Sequence, residues 1–208
     1  MDVDEVWRHT HEQRRALAAL LADLSGEEWA VSSLCEGWTV RDVAAHVMRS
    51  VTVTPREMAV ALLRSRGRFN ALVAEDARQA AGRPVVELVA EFERHDGSRR
   101  HPFGTSVVDP LLDVLVHSQD IAVPLGRPHP MPIVPARVAA RRARRLGFLF
   151  KDAPRRRQLE IRATDTDFAT GTGSLVEGPI RAVLLLLTGR TPAAVAGGLT
   201  GPGVERLN

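Results

Sequence analysis

The residues best suited to carry chemistry lie in one stretch of the chain, from Asp109 to Ala122. Asp113, His117 and Asp120 follow one another at spacings of four and three, which places their side chains on one stripe of an α-helix. Pro110 suits the first turn of that helix. The spacing therefore predicts a helix that presents two carboxylates and one imidazole on the same face.

The remaining faces of this helix are apolar, which predicts that it is largely buried. The apolar residues are Leu111, Leu112, Val114, Leu115, Val116 and Ile121. Buried carboxylates and imidazoles are costly unless a partner compensates them. Because a carboxylate and an imidazole four residues apart can converge on one cation, a metal ion is the partner that the pattern favours.

Length and composition indicate a folded protein in a reducing compartment. The chain has 208 residues, of which 44% are hydrophobic, and a formal net charge of only +3. This charge is a weak argument for a polyanionic partner. The single cysteine, Cys35, excludes an internal disulfide, and no apolar run reaches the roughly 20 residues needed to cross a bilayer. We expect a cytoplasmic protein without a membrane segment.

Helical periodicity dominates the first three quarters of the chain. The predicted helices cover Asp4–Leu24, a second helix beginning at Val40, Met58–Arg66, Phe69–Ala81, Pro84–Arg94, the stretch described above, and Ala136–Phe150. Thr39 followed by Asp42 is a capping-box signature, so the second helix starts at this point. Residues 95–108 and 125–135 have the composition of loops.

The pattern changes near residue 158. Leu159, Ile161 and Ala163 alternate with polar residues, as in a half-buried strand, and a second short strand is predicted at Ser174–Val176. An apolar helix follows at Ile180–Leu187. The predicted fold is mainly α, with four or five helices over residues 1–152 followed by a small α/β domain over residues 153–208.

Two motifs, taken in order, resemble the mycothiol-dependent maleylpyruvate isomerase family of the DinB-like four-helix-bundle superfamily. The first runs from Cys35 to His46, with the sequence CEGWTVRDVAAH, and is similar to the second-helix signature of the family. The second runs from Asp113 to Ala122, with the sequence DVLVHSQDIA, and is similar to its later helix. The ending from Gly178 to Arg190 is similar to the small C-terminal α/β domain of many members.

The resemblance implies a metal site made by His46, Asp113 and His117, with zinc as the expected ion. It also implies mycothiol as a thiol cosubstrate. The family usually has glutamate at the position of Asp113. Because aspartate is one methylene shorter, either the helix lies closer to the metal or this ligand is lost.

Three further residues flank the predicted site. Asp42, one turn before His46, is placed to accept a hydrogen bond from it. Asp120 either orients His117, as carboxylates beside metal-binding histidines do, or pairs with an arginine such as Arg127. We favour the orienting role. Cys35 could be a nucleophile or a fourth metal ligand, but we favour a packing residue, the commoner role of a lone loop cysteine.

The predicted function is that of a metal-dependent isomerase or S-transferase that uses mycothiol and acts on a small electrophile. The chain would act as a monomer or homodimer. The alternative is a non-catalytic metal-binding or regulatory protein, or a nucleic-acid binder that uses the arginines at positions 141–145 and 155–157. A solvated helix face is the commoner origin of such an arginine run, and a nucleic-acid partner is not favoured.

Overall fold

The computed structural model describes residues 1–54, 56, 57, 60, 69–147 and 158–207, and these residues divide into two compact units, Met1–His129 and Pro130–Asn208. The described helices of the first unit are α1 (Val3–Ala22), α2 (Val40–Thr52), α3 (Phe69–Ala81), α4 (Val85–Arg94) and α5 (Asp109–Ala122), with a 3-10 turn at Glu28–Ala30. The order and type of these helices agree with the pattern of the sequence.

Four of these helices, α1, α2, α4 and α5, pack together as a bundle, and α3 packs on α2. The bundle core is formed by apolar residues from each of the four helices. Its most buried members include Leu17, Leu21, Val43, Val47, Phe92, Val114 and Ile121. Each such side chain contributes about 1.5–3 kcal/mol on burial, so the core fixes how α2 faces α5.

The second unit combines helix α6 (Ile133–Arg145) with a small sheet and two further helices, α7 (Ile180–Leu187) and α8 (Thr191–Ala196). The strands are β1 (Leu159–Ala163), β2 (Ala169–Thr170) and β3 (Ser174–Gly178), in the order β2-β1-β3. β1 pairs antiparallel with β2 and parallel with β3. The mainly helical fold class with a small α/β part is therefore confirmed.

The division between these compact units lies at residues 129 and 130, whereas the predicted domain boundary lies at residues 152 and 153. Helix α6 belongs to the second unit, because its buried face packs against α7. That face is made of small residues, Pro135, Ala136, Ala139, Ala140 and Ala143, which allow a close approach between helices. The apolar residues of α6 are spaced as in any helix of a bundle. The sequence pattern therefore did not show which neighbouring element packs against this face.

Parts of two other predictions fall outside the described residues. The predicted helix Met58–Arg66 lies there apart from Val60, as does the end of Ala136–Phe150 beyond residue 147. Of the arginines on α6, Arg141, Arg144 and Arg145 are exposed, as expected for a solvated helix face. Among the described residues, we find no helix with the length and apolar character that crossing a membrane requires.

Candidate metal centre

Helix α5 is buried along almost its whole length, and only one stripe of its surface is accessible to solvent. Every residue from Pro110 to Ala122 is buried except Asp113 and His117, whose side chains keep 22% and 13% of their accessible surface. Asp113 and His117, which are four residues apart in sequence, are therefore also the two side chains of this stretch that a ligand can reach. The apolar packing of the other faces holds the backbone of this stripe in place.

Helix α2 presents His46 toward the same stripe. The helix begins with the capping box predicted from the sequence, in which the Thr39 hydroxyl accepts from the Asp42 backbone N–H at 3.2 Å and the Asp42 carboxylate accepts from the Thr39 backbone N–H at 2.8 Å. His46 is half-buried, and its neighbours Val43 to Ala45 and Val47 are buried. The ring of Trp38 meets the His46 ring edge-on, with 5.3 Å between centroids.

The three residues assigned to the metal come together between α2 and α5. Asp113 Oδ1 lies 3.5 Å from His46 Nε2 and 3.4 Å from His117 Nε2. Ligand atoms of a tetrahedral zinc ion with bonds of about 2.0–2.1 Å lie roughly 3.3–3.4 Å apart. The two distances that involve Asp113 therefore match this spacing, all three donor atoms lie within 4.8 Å of one another, and the shorter aspartate side chain reaches both histidines.

Asp120 lies behind His117 and is fully buried. Its Oδ2 is 2.7 Å from His117 Nδ1 and accepts from the Cys35 thiol at 3.1 Å. A proton on Nδ1 donated to this carboxylate leaves the lone pair of His117 on Nε2, the nitrogen that faces Asp113. Arg127, which was considered from the sequence as a partner of Asp120, donates hydrogen bonds to Asp23 and Glu28.

Asp42 has a hydrogen-bond partner different from the expected His46. Its carboxylate oxygen Oδ2 accepts from both the backbone N–H and the hydroxyl of Thr39, at 2.8 and 2.7 Å. Asp42 therefore serves the start of helix α2, and it influences His46 through the placement of that helix.

The charge of Asp113 is set by its neighbours. Burial raises the pKa of this carboxyl, but the contact with His46 and the electrostatic influence of His117, His46 and Arg14 outweigh burial, and the pKa lies below its ordinary value. Asp113 is therefore a carboxylate at neutral pH, which is the form that binds metals.

Comparison with known proteins agrees with this architecture. The family described as "Mycothiol maleylpyruvate isomerase N-terminal domain" matches residues 10–177 of the chain. The chain belongs to this family. The match begins within α1 and runs through α6 into β3, so the family pattern extends across the division between the two compact units.

Two solved structures of the isomerase family share the fold. The crystal structure of the mycothiol-dependent maleylpyruvate isomerase has a TM-score of 0.62 and 14% sequence identity, with 91% of this chain and 90% of that chain covered. A histidine-to-alanine mutant of that isomerase gives a TM-score of 0.63 at the same identity and coverage. A search of curated proteins gave no match.

Cys35, favoured from the sequence as a packing residue, lies at the site of this isomerase-family chain. Cys35 Sγ, His117 Nδ1 and Asp120 Oδ2 form a second group of potential metal ligands, on the far side of the His117 ring. The one sequence signal that Cys35 lies near the site was its position four residues before the capping box. The 2.7 Å contact between His117 Nδ1 and Asp120 occupies that nitrogen, which favours the first group as the metal ligands.

Proposed function

We propose that this chain binds one divalent metal ion, with zinc favoured, through His46, Asp113 and His117. The observation that supports this most directly is the spacing of 3.4–3.5 Å from Asp113 Oδ1 to the two histidine nitrogens. Two imidazoles and a carboxylate suit zinc, and three protein ligands leave a fourth position for an exogenous molecule, as in catalytic zinc sites.

We propose further that the activity is that of a mycothiol-dependent isomerase or S-transferase acting on a small electrophile. Membership of the family and the open fourth position support this reaction class. A divalent metal, when bound, lowers the pKa of a coordinated thiol, so that the thiol is held as thiolate near neutral pH. A low-molecular-weight thiol as cosubstrate also fits a reducing, cytoplasmic setting.

The residues of the chain have separate tasks in this proposal. Asp120 holds the His117 ring in the orientation and tautomer that directs Nε2 toward Asp113. Trp38 packs against His46 and restricts rotation of its ring. The Cys35 thiol donates to Asp120, so it supports the orienting carboxylate and leaves the role of nucleophile to the exogenous thiol.

Metal substitution tests the ligand set. We expect the cobalt-loaded protein to show the visible absorption of a tetrahedral site, and this absorption to change when mycothiol is added, because a thiolate enters the fourth position. A cobalt spectrum typical of six-coordinate, water-rich binding would contradict the three-ligand site.

The two possible ligand groups around His117 predict different effects of substitutions on zinc affinity. Replacing Asp120 by asparagine should lower zinc affinity about 10–100-fold, the range found when the partner of a metal-binding histidine is changed. Cys35→Ser keeps a donor to Asp120 and should change zinc affinity by less than about tenfold, the lower end of that range. Zinc competition with a chromophoric chelator measures both. Loss of zinc in Cys35→Ser would instead place the ion among Cys35, His117 and Asp120.

A further inference from the structure

Arg14 is an unusual residue for the place it occupies in the bundle. It lies on the buried face of α1, in the same stripe as Trp7, Leu17 and Leu21, and only 6% of its surface is exposed. An arginine remains charged at any physiological pH, and a guanidinium in an apolar stripe is costly unless charged or polar groups compensate it. Its position is therefore not explained by packing alone.

The described residues satisfy this guanidinium only in part. One terminal nitrogen donates to the Ser98 carbonyl at 3.2 Å, and that carbonyl also lies 3.2 Å from His11 Nε2. The Nε of Arg14 is buried and has no hydrogen-bond partner among the described residues. A single shared carbonyl uses only part of the N–H capacity of this guanidinium, so further N–H groups are left for another acceptor.

The charge of Arg14 also acts on the metal centre. Burial lowers the pKa of Arg14, and the carboxylate of Asp113 opposes that effect, as Arg14 in turn helps to lower the pKa of Asp113. The guanidinium is thus within electrostatic reach of a proposed metal ligand. A metal ion bound to Asp113 would neutralise this carboxylate and leave Arg14 with less compensation.

A cleft of about 370 Å³ reaches Arg14 from the outside of the bundle. Its other lining residues are the apolar side chains of Ala18, Ala19, Ala22, Val89 and Phe92 and the charged side chains of Arg15, Glu93 and Asp96. The Asp96 carboxylate is held by Arg15, with both oxygens 3.2 Å from one guanidinium nitrogen. The cleft therefore combines an apolar wall with the Arg14 guanidinium and the charged residues Arg15, Glu93 and Asp96, and its volume suits a small molecule.

We propose that Arg14 is an anion-binding residue, whose guanidinium holds a carboxylate of a small ligand in this cleft. Arginine is suited to this task because its planar N–H groups match the two oxygens of a carboxylate. That the ligand is the electrophilic substrate rests on the function proposed above. In that case the protein selects anionic electrophiles over neutral ones of the same shape.

The test compares binding of a dianion and its neutral counterpart. Maleate and the diamide of maleic acid are titrated calorimetrically, without thiol, into wild-type, Arg14→Met and Arg8→Met proteins, each metal-loaded and metal-free. Arg8 is the matched control, because it lies on the same helix with an exposed side chain paired to Glu12. The metal-free series separates binding at Arg14 from binding to the ion.

We expect maleate to bind Arg14→Met roughly tenfold or more weakly than wild type in both series, which corresponds to the loss of charge-assisted hydrogen bonds. Arg8→Met should match wild type, and the neutral diamide should bind all three proteins alike. Equal maleate affinity in Arg14→Met and wild type, or no maleate binding by wild type, would overturn the proposal.

A second variant tests the anion-binding role of Arg14 in case Arg14→Met fails to fold. If Arg14→Met is unfolded, Arg14→Lys decides, since lysine keeps the charge but not the planar donor geometry. Weaker maleate binding with unchanged diamide binding supports the anion site, and unchanged maleate binding overturns it. Arg14-dependent maleate binding in a protein that shows no metal-dependent turnover would refute the proposed reaction and leave the anion site standing.

Discussion

Replacing His117 by alanine should empty the metal centre. His117 supplies one of three proposed ligand atoms, and its Nδ1 lies 2.7 Å from the buried carboxylate of Asp120. The variant loses a ligand and leaves Asp120 without that partner. We expect zinc affinity to fall by more than about 100-fold, above the range for changes to orienting partners. Elemental analysis after dialysis should find almost no zinc, and thiol-dependent activity should fall to the uncatalysed rate.

The control for this experiment is another histidine of the bundle. His95 follows α4, and its Nδ1 lies 3.0 Å from the Glu91 carbonyl, away from the metal ligands. His95→Ala should keep its zinc and its activity. His46→Ala should behave like His117→Ala, because it removes the ligand from the opposite helix. Full zinc content in both His46→Ala and His117→Ala would show that the ion binds elsewhere.

Asp113 variants have the second large expected effect. The carboxylate of Asp113 is the atom group that lies close to both histidine nitrogens, and its pKa is lowered by their electrostatic influence and by Arg14. Asp113→Asn keeps the shape but replaces an anionic ligand with a neutral amide. We expect zinc affinity to fall about tenfold or more, and activity to fall with it. Chelator competition and thiol-consumption assays measure the two effects.

Asp113→Glu changes the length of the side chain while keeping its negative charge. It keeps the carboxylate but adds a methylene to a side chain that already lies 3.4 Å from His117 Nε2. We expect zinc to be retained within about tenfold of wild type, since a longer side chain can fold back toward the ion. Asp4→Asn, at an exposed residue paired with Arg99, is the matched control for loss of one carboxylate. Equal zinc affinity in Asp113→Asn and wild type would contradict a ligand role for Asp113.

The sequence predicted the parts of the site that depend on local spacing. Positions four residues apart share a helix face in any packing, so Asp113 and His117 could be placed together before the fold was known. The capping box at Thr39 likewise depends on neighbouring residues only. That His46 would face this stripe was implied by the family resemblance and not by spacing, because it depends on how α2 packs against α5.

Contacts between distant parts of the chain were not predictable in the same way. Cys35 and Asp120 are far apart in sequence, and Asp120 could equally have paired with Arg127 until the loop before α2 was placed. Arg14 looked like one polar residue of an amphipathic helix, although the structure buries it. Helix α6 was assigned to the bundle because its small apolar face does not specify a partner. In each case tertiary packing decided between neighbours that the pattern allowed.

The central claim is that turnover requires both the metal and the exogenous thiol. The most direct test follows maleylpyruvate with mycothiol and the wild-type protein, after removal of metal by a chelator and again after zinc is restored. We predict isomerisation that is lost with the metal, returns with about one zinc ion per chain and does not occur without the thiol. Turnover that continues in protein shown to be metal-free, or zinc-loaded protein that leaves maleylpyruvate unchanged in the presence of mycothiol, would contradict this account.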